Sequence, residues 1–376
     1  MQKPFTQLGP VQNIIRQFTP NWFTVCMGTG VVALIVSEFP LWNAFTWQLG
    51  NALWHFNMVL FALFSTLYIL RWVKYPSEAK QIFTHPMMVL FLGAIPMALA
   101  TIINGLLKYG QPVYGDSAII WAETLWYVDV MMAVLIAWVV PFMMFQRQTH
   151  QLPGMTAVWL LPIVACEVAA SSGGLLLAHL PEDAHAAGIL LGSYVLWGLS
   201  VLPAFGILTI LFLRLALHQL PTKELAISSW LALGPIGTGA LALLVLGQQA
   251  EAVLGSIGLA QLGQFLQQAG IGGSLILIGF GVWWLGIAAL TTWHHAKQDL
   301  PFNLGWWGLT FPLGVFSLAI LALAQQLNIA FIYGMGYALA GVLMLLWAIV
   351  AVKTAQGFYR GHLFFSPCLK AYLEKR

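Results

Sequence analysis

Ten stretches of this chain, at 20–39, 51–73, 86–107, 118–144, 154–177, 187–217, 225–247, 266–293, 304–324 and 329–352, are almost free of charged side chains. Each is close to or above the roughly 20 apolar residues that an α-helix needs to cross a bilayer. Only 7% of the residues are charged, while 60% are hydrophobic, and a soluble globule carries about 25% charge. In hydrocarbon every backbone N–H and C=O must be satisfied within the protein, which leaves helices or a closed barrel. Runs of this length predict helices. The fold class is therefore an all-α polytopic membrane protein, with ten transmembrane helices at 20–352 between an N-terminal segment, 1–19, and a C-terminal tail, 353–376. The first 19 residues contain no continuous apolar core of the kind a cleavable signal needs. Cys26, Cys166 and Cys368 are odd in number and far apart, which points to packing and not to a disulfide framework or a metal cluster.

Charge sets the orientation. With ten spans, all of the 15 Lys and Arg residues except Lys108 fall on one side. The basic side of a membrane protein faces the cytoplasm, so both termini are expected there, in a cell membrane and most simply a bacterial inner membrane.

Pro96, Pro162, Pro235 and Pro312 lie within the third, fifth, seventh and ninth runs, at intervals of 66, 73 and 77 residues. A proline in a helix interior removes a hydrogen bond and crowds the preceding turn, at about 3 kcal/mol or more. A broken helix at membrane depth is tolerated where the freed groups are buried in protein or face a wet cavity. The first run has no central proline, but it carries Gly28 and Gly30, and Gly28 precedes Pro96 by 68 residues. The pattern predicts five helical hairpins of about 70 residues, each with one interrupted and one continuous member. The odd helices would line a central pore and the even helices would shield them from lipid. Thr24, Thr29, Thr101, Ser171, Ser172, Gly173, Gly174, Ser228, Ser229, Gly237, Thr238, Gly239, Thr310 and Ser317 all fall in the odd runs. Taken singly, such residues are the usual furniture of helix packing; taken together, they fit a pore.

The stretches PNWFTVCMGTGVVAL from Pro20, WLLPIVACEVAASSGGLL from Trp159, WLALGPIGTGALALLVLG from Trp230 and FNLGWWGLTFPLGVFSLAI from Phe302 resemble the tellurite-resistance/dicarboxylate transporter family. That family includes malate permeases, sulfite efflux pumps and the slow anion channels of guard cells. The resemblance covers about 18 to 353, and the GPIG and WWGLTFPLG segments carry it most specifically, the latter being closer to the malate and sulfite branch. It implies a homotrimer in which each protomer's odd helices surround a pore plugged by an aromatic side chain. It also implies a small anion as substrate.

The residues before the four prolines are Ile95, Leu161, Gly234 and Phe311, and only Phe311 is aromatic. One ring among smaller side chains at one level is a hydrophobic constriction that can close a pore, and the resemblance points to the same phenylalanine. The alternative is a core ring packed on the tenth helix. Two acids lie inside the runs, Asp129 and Glu167. Intramembrane carboxylates are functional candidates by default, for proton coupling or substrate selection. Glu167, six residues past Leu161, is turned about 120° from it on a helix, which favours structural contact with a neighbouring helix.

The pairs His294/His295 and His179/His185 lack the spacing or partners of a metal site, and no P-loop, Rossmann fingerprint or nucleophile elbow is present. No cofactor, metal, nucleic-acid partner or enzymatic activity is expected. No Lys or Arg lies near the centre of an odd run, so anion attraction would be diffuse. It would come from hydroxyls, exposed amides and helix N-termini, with the basic cytoplasmic rim raising the local anion concentration. The predicted function is transport of a small anion, C4-dicarboxylate or sulfite-like. The alternatives are a proton-coupled dicarboxylate or tellurite-resistance carrier and a non-transporting sensor or scaffold.

Overall fold

The computed structural model describes residues 4–8, 10, 12–40, 43–297 and 299–374. Lys3, Lys375 and Arg376, which count toward the charge bias, lie outside the described residues. In chain order the principal helices are α1 (Phe23–Val36), α2 (Asn43–Lys74), α3 (Ala94–Gly105), α4 (Asp116–Arg147), α5 (Leu161–Leu177), α6 (Ala184–His218), α7 (Leu233–Gly255), α8 (Ala260–Ala296), α9 (Phe311–Leu327), α10 (Ala330–Arg360) and α11 (Pro367–Leu373). No strand occurs among the described residues. Nine helical runs among them are long and apolar enough to cross a membrane, and a tenth apolar run, Pro20–Val36, is shorter.

Burial divides the helices into two classes. Every residue of α1 is buried. In the four runs that contain α3, α5, α7 and α9, 72–94% of the most apolar stretch is buried, against 17–33% in α2, α4, α6, α8 and α10. The odd helices contact one another in the order α1, α3, α5, α7, α9 and back to α1, so they close a ring. Each even helix packs over a seam: α2 on α1 and α3, α4 on α3 and α5, α6 on α5 and α7, α8 on α7 and α9, and α10 on α9 and α1. The outer faces of the even helices carry Phe56, Met131, Trp138, Leu202, Ile276 and Phe331, all more than half exposed. An apolar surface of that kind is stable only against lipid or protein.

The prolines act differently from the sequence expectation. Each inner helix is a 3-10 segment followed by an α-helix: Pro20–Trp22 before α1, Met88–Gly93 before α3, Ala157–Leu160 before α5, Ala226–Ala232 before α7 and Leu304–Leu309 before α9. Pro162 and Pro312 are the second residues of their α-helices, and Pro96 and Pro235 the third. There the missing N–H is one of the four that have no intrahelical partner, so the predicted loss of a hydrogen bond does not arise. The proline starts an α-helix instead of kinking one. In the first run the junction lies at Trp22–Phe23, and α1 passes uninterrupted through Gly28 and Gly30, where the spacing predicts the break. Among the described residues the prolines inside α-helices are Pro141 in α4 and Pro203 in α6, both outer helices predicted to be continuous.

The terminal segments meet at the end of the ring where the 3-10 segments lie, here called proximal. Phe5 N donates to Tyr359 O at 2.8 Å and Gln7 N to Arg360 O at 3.1 Å. The buried Arg71, at the end of α2, donates to Phe18 O and, at 3.1 Å, to Ser366 Oγ. Ser366 in turn caps α11 by accepting from Leu369 N at 3.3 Å. Arg16 pairs with Glu78 at 2.6 Å. Basic side chains thus pin both chain ends to the same face.

Candidate functional site

The ring encloses two cavities, one at each end. The proximal cavity, of about 450 Å³, takes wall residues from all five inner runs. They follow a spacing of three: Asn21, Thr24 and Met27; Met88 and Phe91; Val158 and Leu161; Leu225, Ser228 and Leu231; Gly305, Gly308 and Phe311. A 3-10 helix has three residues per turn, so positions i and i+3 eclipse, and the 3-10 segments at 88–93, 226–232 and 304–309 each present a straight column to the cavity, whereas Thr24 and Met27 already belong to α1. The distal cavity, of about 490 Å³, is also walled by all five inner runs. Its columns have the three-or-four spacing of an α-helix: Leu34 and Glu38; Asn104, Lys108 and Gln111; Leu175 and His179; Leu241, Val245 and Gln248; Leu318, Ala322 and Gln325. The 3-10-to-α switch therefore separates two walls of different geometry.

Between the cavities the ring is narrow. On α9 the proximal wall ends at Phe311 and Pro312 and the distal wall begins at Leu318, an interval of about 9 Å at 1.5 Å per residue. Phe311 is only 4% exposed and Leu161 5%, and both face the proximal cavity at its deep end. Gly234 is buried, yet no atom lies within 4 Å of the position a Cβ would occupy. It borders open space inside the ring. Ile95 is half-buried. The second phenylalanine of α9, Phe316, is fully buried beneath Gly237 and Gly281, so the two rings have different jobs.

Other predicted residues stand off the cavities. A Cβ on Gly28 would come within 2.1 Å of Thr310 Oγ1 and one on Gly30 within 2.0 Å of Thr101 Oγ1; both glycines let α1 approach its neighbours. Pro96, Pro162 and Pro235 are buried and line neither cavity. Of the small and hydroxylated set, only Thr24 and Ser228 reach either cavity. Thr101, Ser171, Thr310 and Ser317 instead donate to carbonyls of their own helices at 2.7–2.9 Å, the local bonding typical of hydroxyls within helices.

Glu167 is fully buried beside Ser200 of α6, its Oε2 3.5 Å from where a Cβ on Gly239 would stand. It faces the seam between α5, α6 and α7, in keeping with its predicted turn away from the axis. Asp129 is fully buried on α4. Neither carboxyl group makes a hydrogen bond of normal geometry. His185 meets Glu123 at 2.6 Å, and Asp183 caps α6 by accepting from Ala186 N at 3.0 Å. Among the described residues no group of three or more His, Cys, Asp or Glu side chains is placed to hold a metal.

Electrostatics differ between the mouths. Beside the cavity-lining residues Asn303 and Gly305, Lys353 lies 5.8 Å from the centre of the Phe302 ring and 5.6 Å from that of Trp306. Glu224, on the cavity wall, is held below the ordinary carboxylate range by its own backbone N–H and then by the Thr222 hydroxyl. At the distal mouth burial holds the His179 imidazole below its ordinary value. Among the described residues lining the two cavities, Lys108 is the one Lys or Arg. The sequence marks Lys108 as the exception to the charge rule but gives no reason to place it on a cavity wall.

An all-helical membrane protein, with a closed inner ring open at both ends and an apolar jacket outside, is the class that this fold and site define. The chain belongs to the voltage-dependent anion channel family, SLAC1, whose family model matches residues 17–355. It is 38% identical over 342 residues to the sulfite efflux pump SSU1 of Arthroderma benhamiae and 37% over 342 residues to that of Trichophyton rubrum, in each case covering 90% of both chains. It is 23% identical over 360 residues to the malic acid transport protein of Schizosaccharomyces pombe, covering 93% of this chain and 80% of that one. The predicted resemblance thus holds, and the chain is a membrane anion channel or transporter of this family. The relatives named are channels and transporters, not enzymes. They are also fungal, so the expectation of a bacterial inner membrane finds no support among them.

Proposed function

We propose that the chain passes small oxyanions across its membrane, sulfite foremost and malate-like dicarboxylates second, along the axis of the inner ring. The observation that carries this reading is the pair of cavities, each walled by all five inner runs and separated along α9 by the interval from Pro312 to Leu318. Phe311 is the closing residue: it is the bulky aromatic side chain at the deep end of the proximal wall. The sulfite preference rests on the similarity to sulfite efflux pumps. The chain crosses the membrane ten times in five hairpins, with Pro20–Val36 as the first crossing, and the proximal face with both chain ends is cytoplasmic. The basic side chains gathered there support that orientation. The protein assembles as a homotrimer through its outer helices. Glu167 and Asp129 lie off both cavities, and a proton-coupled mechanism through them draws no support from the cavity walls.

The test is sulfite, malate, nitrate and chloride flux in proteoliposomes containing wild type or Phe311→Ala. Sulfite flux is expected in the wild type and an increase of about tenfold or more in the variant, as a hydrophobic closure is removed. Equal flux from equal amounts of folded protein would remove Phe311 from the gate. Absence of all anion flux from both would overturn the transport reading.

A further inference from the structure

The distal cavity contains a charged group that the transport reading leaves without a task. After α3 the helix widens into a π-helical turn, Leu106–Gly110, an uncommon form that recurs at functional sites. The turn is pinned by Tyr109, whose hydroxyl donates to Ala33 O and lies 2.8 Å from Ser37 Oγ. It places Lys108 on the cavity wall. The ammonium donates to Leu34 O at 3.0 Å and pairs with Glu38. Glu38 also accepts from Gln325 Nε2 at 3.4 Å, so the pair joins the first, second and fifth inner runs at the mouth. Both side chains keep about a quarter of their surface exposed, 27% each. Asn104, Gln111 and Gln248 add amide donors to the same wall.

A lysine at the mouth of an anion path attracts the anion strongly, and an unopposed one would hold it. Flux needs binding that is favourable enough to admit the anion and weak enough to release it. Glu38 supplies the opposition: the empty site is neutral, and an entering oxyanion displaces a carboxylate that stays tethered beside the ammonium. Lys108 has three N–H donors, of which Leu34 O and Glu38 take two, and the exchange needs only a side-chain movement.

We propose that Lys108 is the anion-binding group of the distal vestibule and that Glu38 is its tethered competitor, so that a small oxyanion such as sulfite is held there only in passing. The proposal rests on the anion-transport reading above. It assigns the distal mouth a binding step of its own, separate from closure at Phe311.

Sulfite flux in proteoliposomes, titrated from the distal side, tests it with Glu38→Gln, Lys108→Gln, Lys108→Arg and the double variant E38Q/K108Q, beside wild type and Phe311→Ala. Glu38→Gln is expected to lower the half-saturating sulfite concentration about fivefold or more, with a lower maximal flux, because removing a competing charge tightens binding and slows release. Lys108→Gln should raise the half-saturating concentration by a similar factor, the double variant should behave as Lys108→Gln, and Lys108→Arg should stay close to wild type. If Glu38→Gln does not fold, Glu38→Asp, which shortens the reach to Lys108, is expected to move the half-saturation in the same direction by less. Unchanged half-saturation in the Glu38 variant that folds and in Lys108→Gln, with Phe311→Ala still raising flux, overturns the proposal and leaves the transport reading standing. No flux in wild type or Phe311→Ala overturns the transport reading itself.

Discussion

Gly234 and Gly237 sit three residues apart on α7, and a methyl group would mean opposite things at the two positions. At Gly237 a Cβ would lie 2.7 Å from the backbone of Phe316, so the two helix backbones would have to separate. Gly237→Val is expected to cost about 1–3 kcal/mol, the usual range for overpacking a filled core, read as a fall in thermal stability of the detergent-solubilised protein. At Gly234 a Cβ meets nothing within 4 Å. Gly234→Val should therefore stay within about 1 kcal/mol of wild type while lowering anion flux severalfold, because its methyls enter the narrow part of the path. Equal effects of the two substitutions on stability and flux would contradict this division. Both glycines stand in the same GPIG-containing segment, and the sequence distinguishes them only through their distance from Pro235. That distance was informative: the residue before each proline is the one that led to Leu161, Gly234 and Phe311. The hydroxyl residues misled for a physical reason, since a serine or threonine within a helix has a carbonyl of its own helix within reach and need not face water.

At the scale of elements, the junction between 3-10 and α segments organises the inner helices, and its caps are open to test. His85 precedes the 3-10 segment Met88–Gly93, and its Nδ1 accepts from Met87 N at 3.3 Å and Met88 N at 3.2 Å. Those bonds need Nδ1 unprotonated. Burial holds the imidazole below its ordinary value of about 6.5, with a smaller opposing effect from a backbone hydrogen bond. A base with a lowered folded value is stabilising above the unfolded value, and its contribution is lost as pH falls through the folded one. Thermal stability is thus expected to decline as pH is lowered from about 6.5, and His85→Asn, which keeps an acceptor that does not titrate there, should flatten that decline. A pH profile identical to wild type in the variant would dismiss the cap. Helix positions were legible from apolar length, because a run long enough to cross hydrocarbon has few other options. The 3-10 segments were not. A proline signals a weakened α-helix, but the sequence is silent on whether the chain passes straight through, as at Pro141 and Pro203, or changes its winding there.

For the whole molecule, the sequence indicated which helices are inside before any contact was known, through the regular recurrence of Pro96, Pro162, Pro235 and Pro312 in odd runs. What it lacked was the reach of the jacket. The outer helices contain 31–37 residues, about 46–55 Å at 1.5 Å per residue. A hydrocarbon core is about 30 Å thick, so these helices extend beyond it or lean. Their exposed apolar faces are available to lipid and to further copies of the chain. The proposed homotrimer predicts a native mass in lipid nanodiscs of three times the 41.3 kDa chain, and a species of single-chain mass under the same conditions would reject it. Anion flux from such a trimer should persist when wild-type and inactive chains are mixed, in proportion to the wild-type share, because each protomer encloses its own pair of cavities.

The straight columns of the proximal wall separate two properties that are usually entangled in a protein. The shape of that mouth depends on how many residues precede each α-helix, since an added residue in a 3-10 segment would swing its column about 120° away from the cavity. The chemistry of the mouth depends on what fills each column: Leu, Ser and Leu in one, Gly, Gly and Phe in another. Length is therefore under tight constraint and identity under a loose one. A lineage can exchange one preferred solute for another by substitutions in register, without rebuilding the scaffold that holds them.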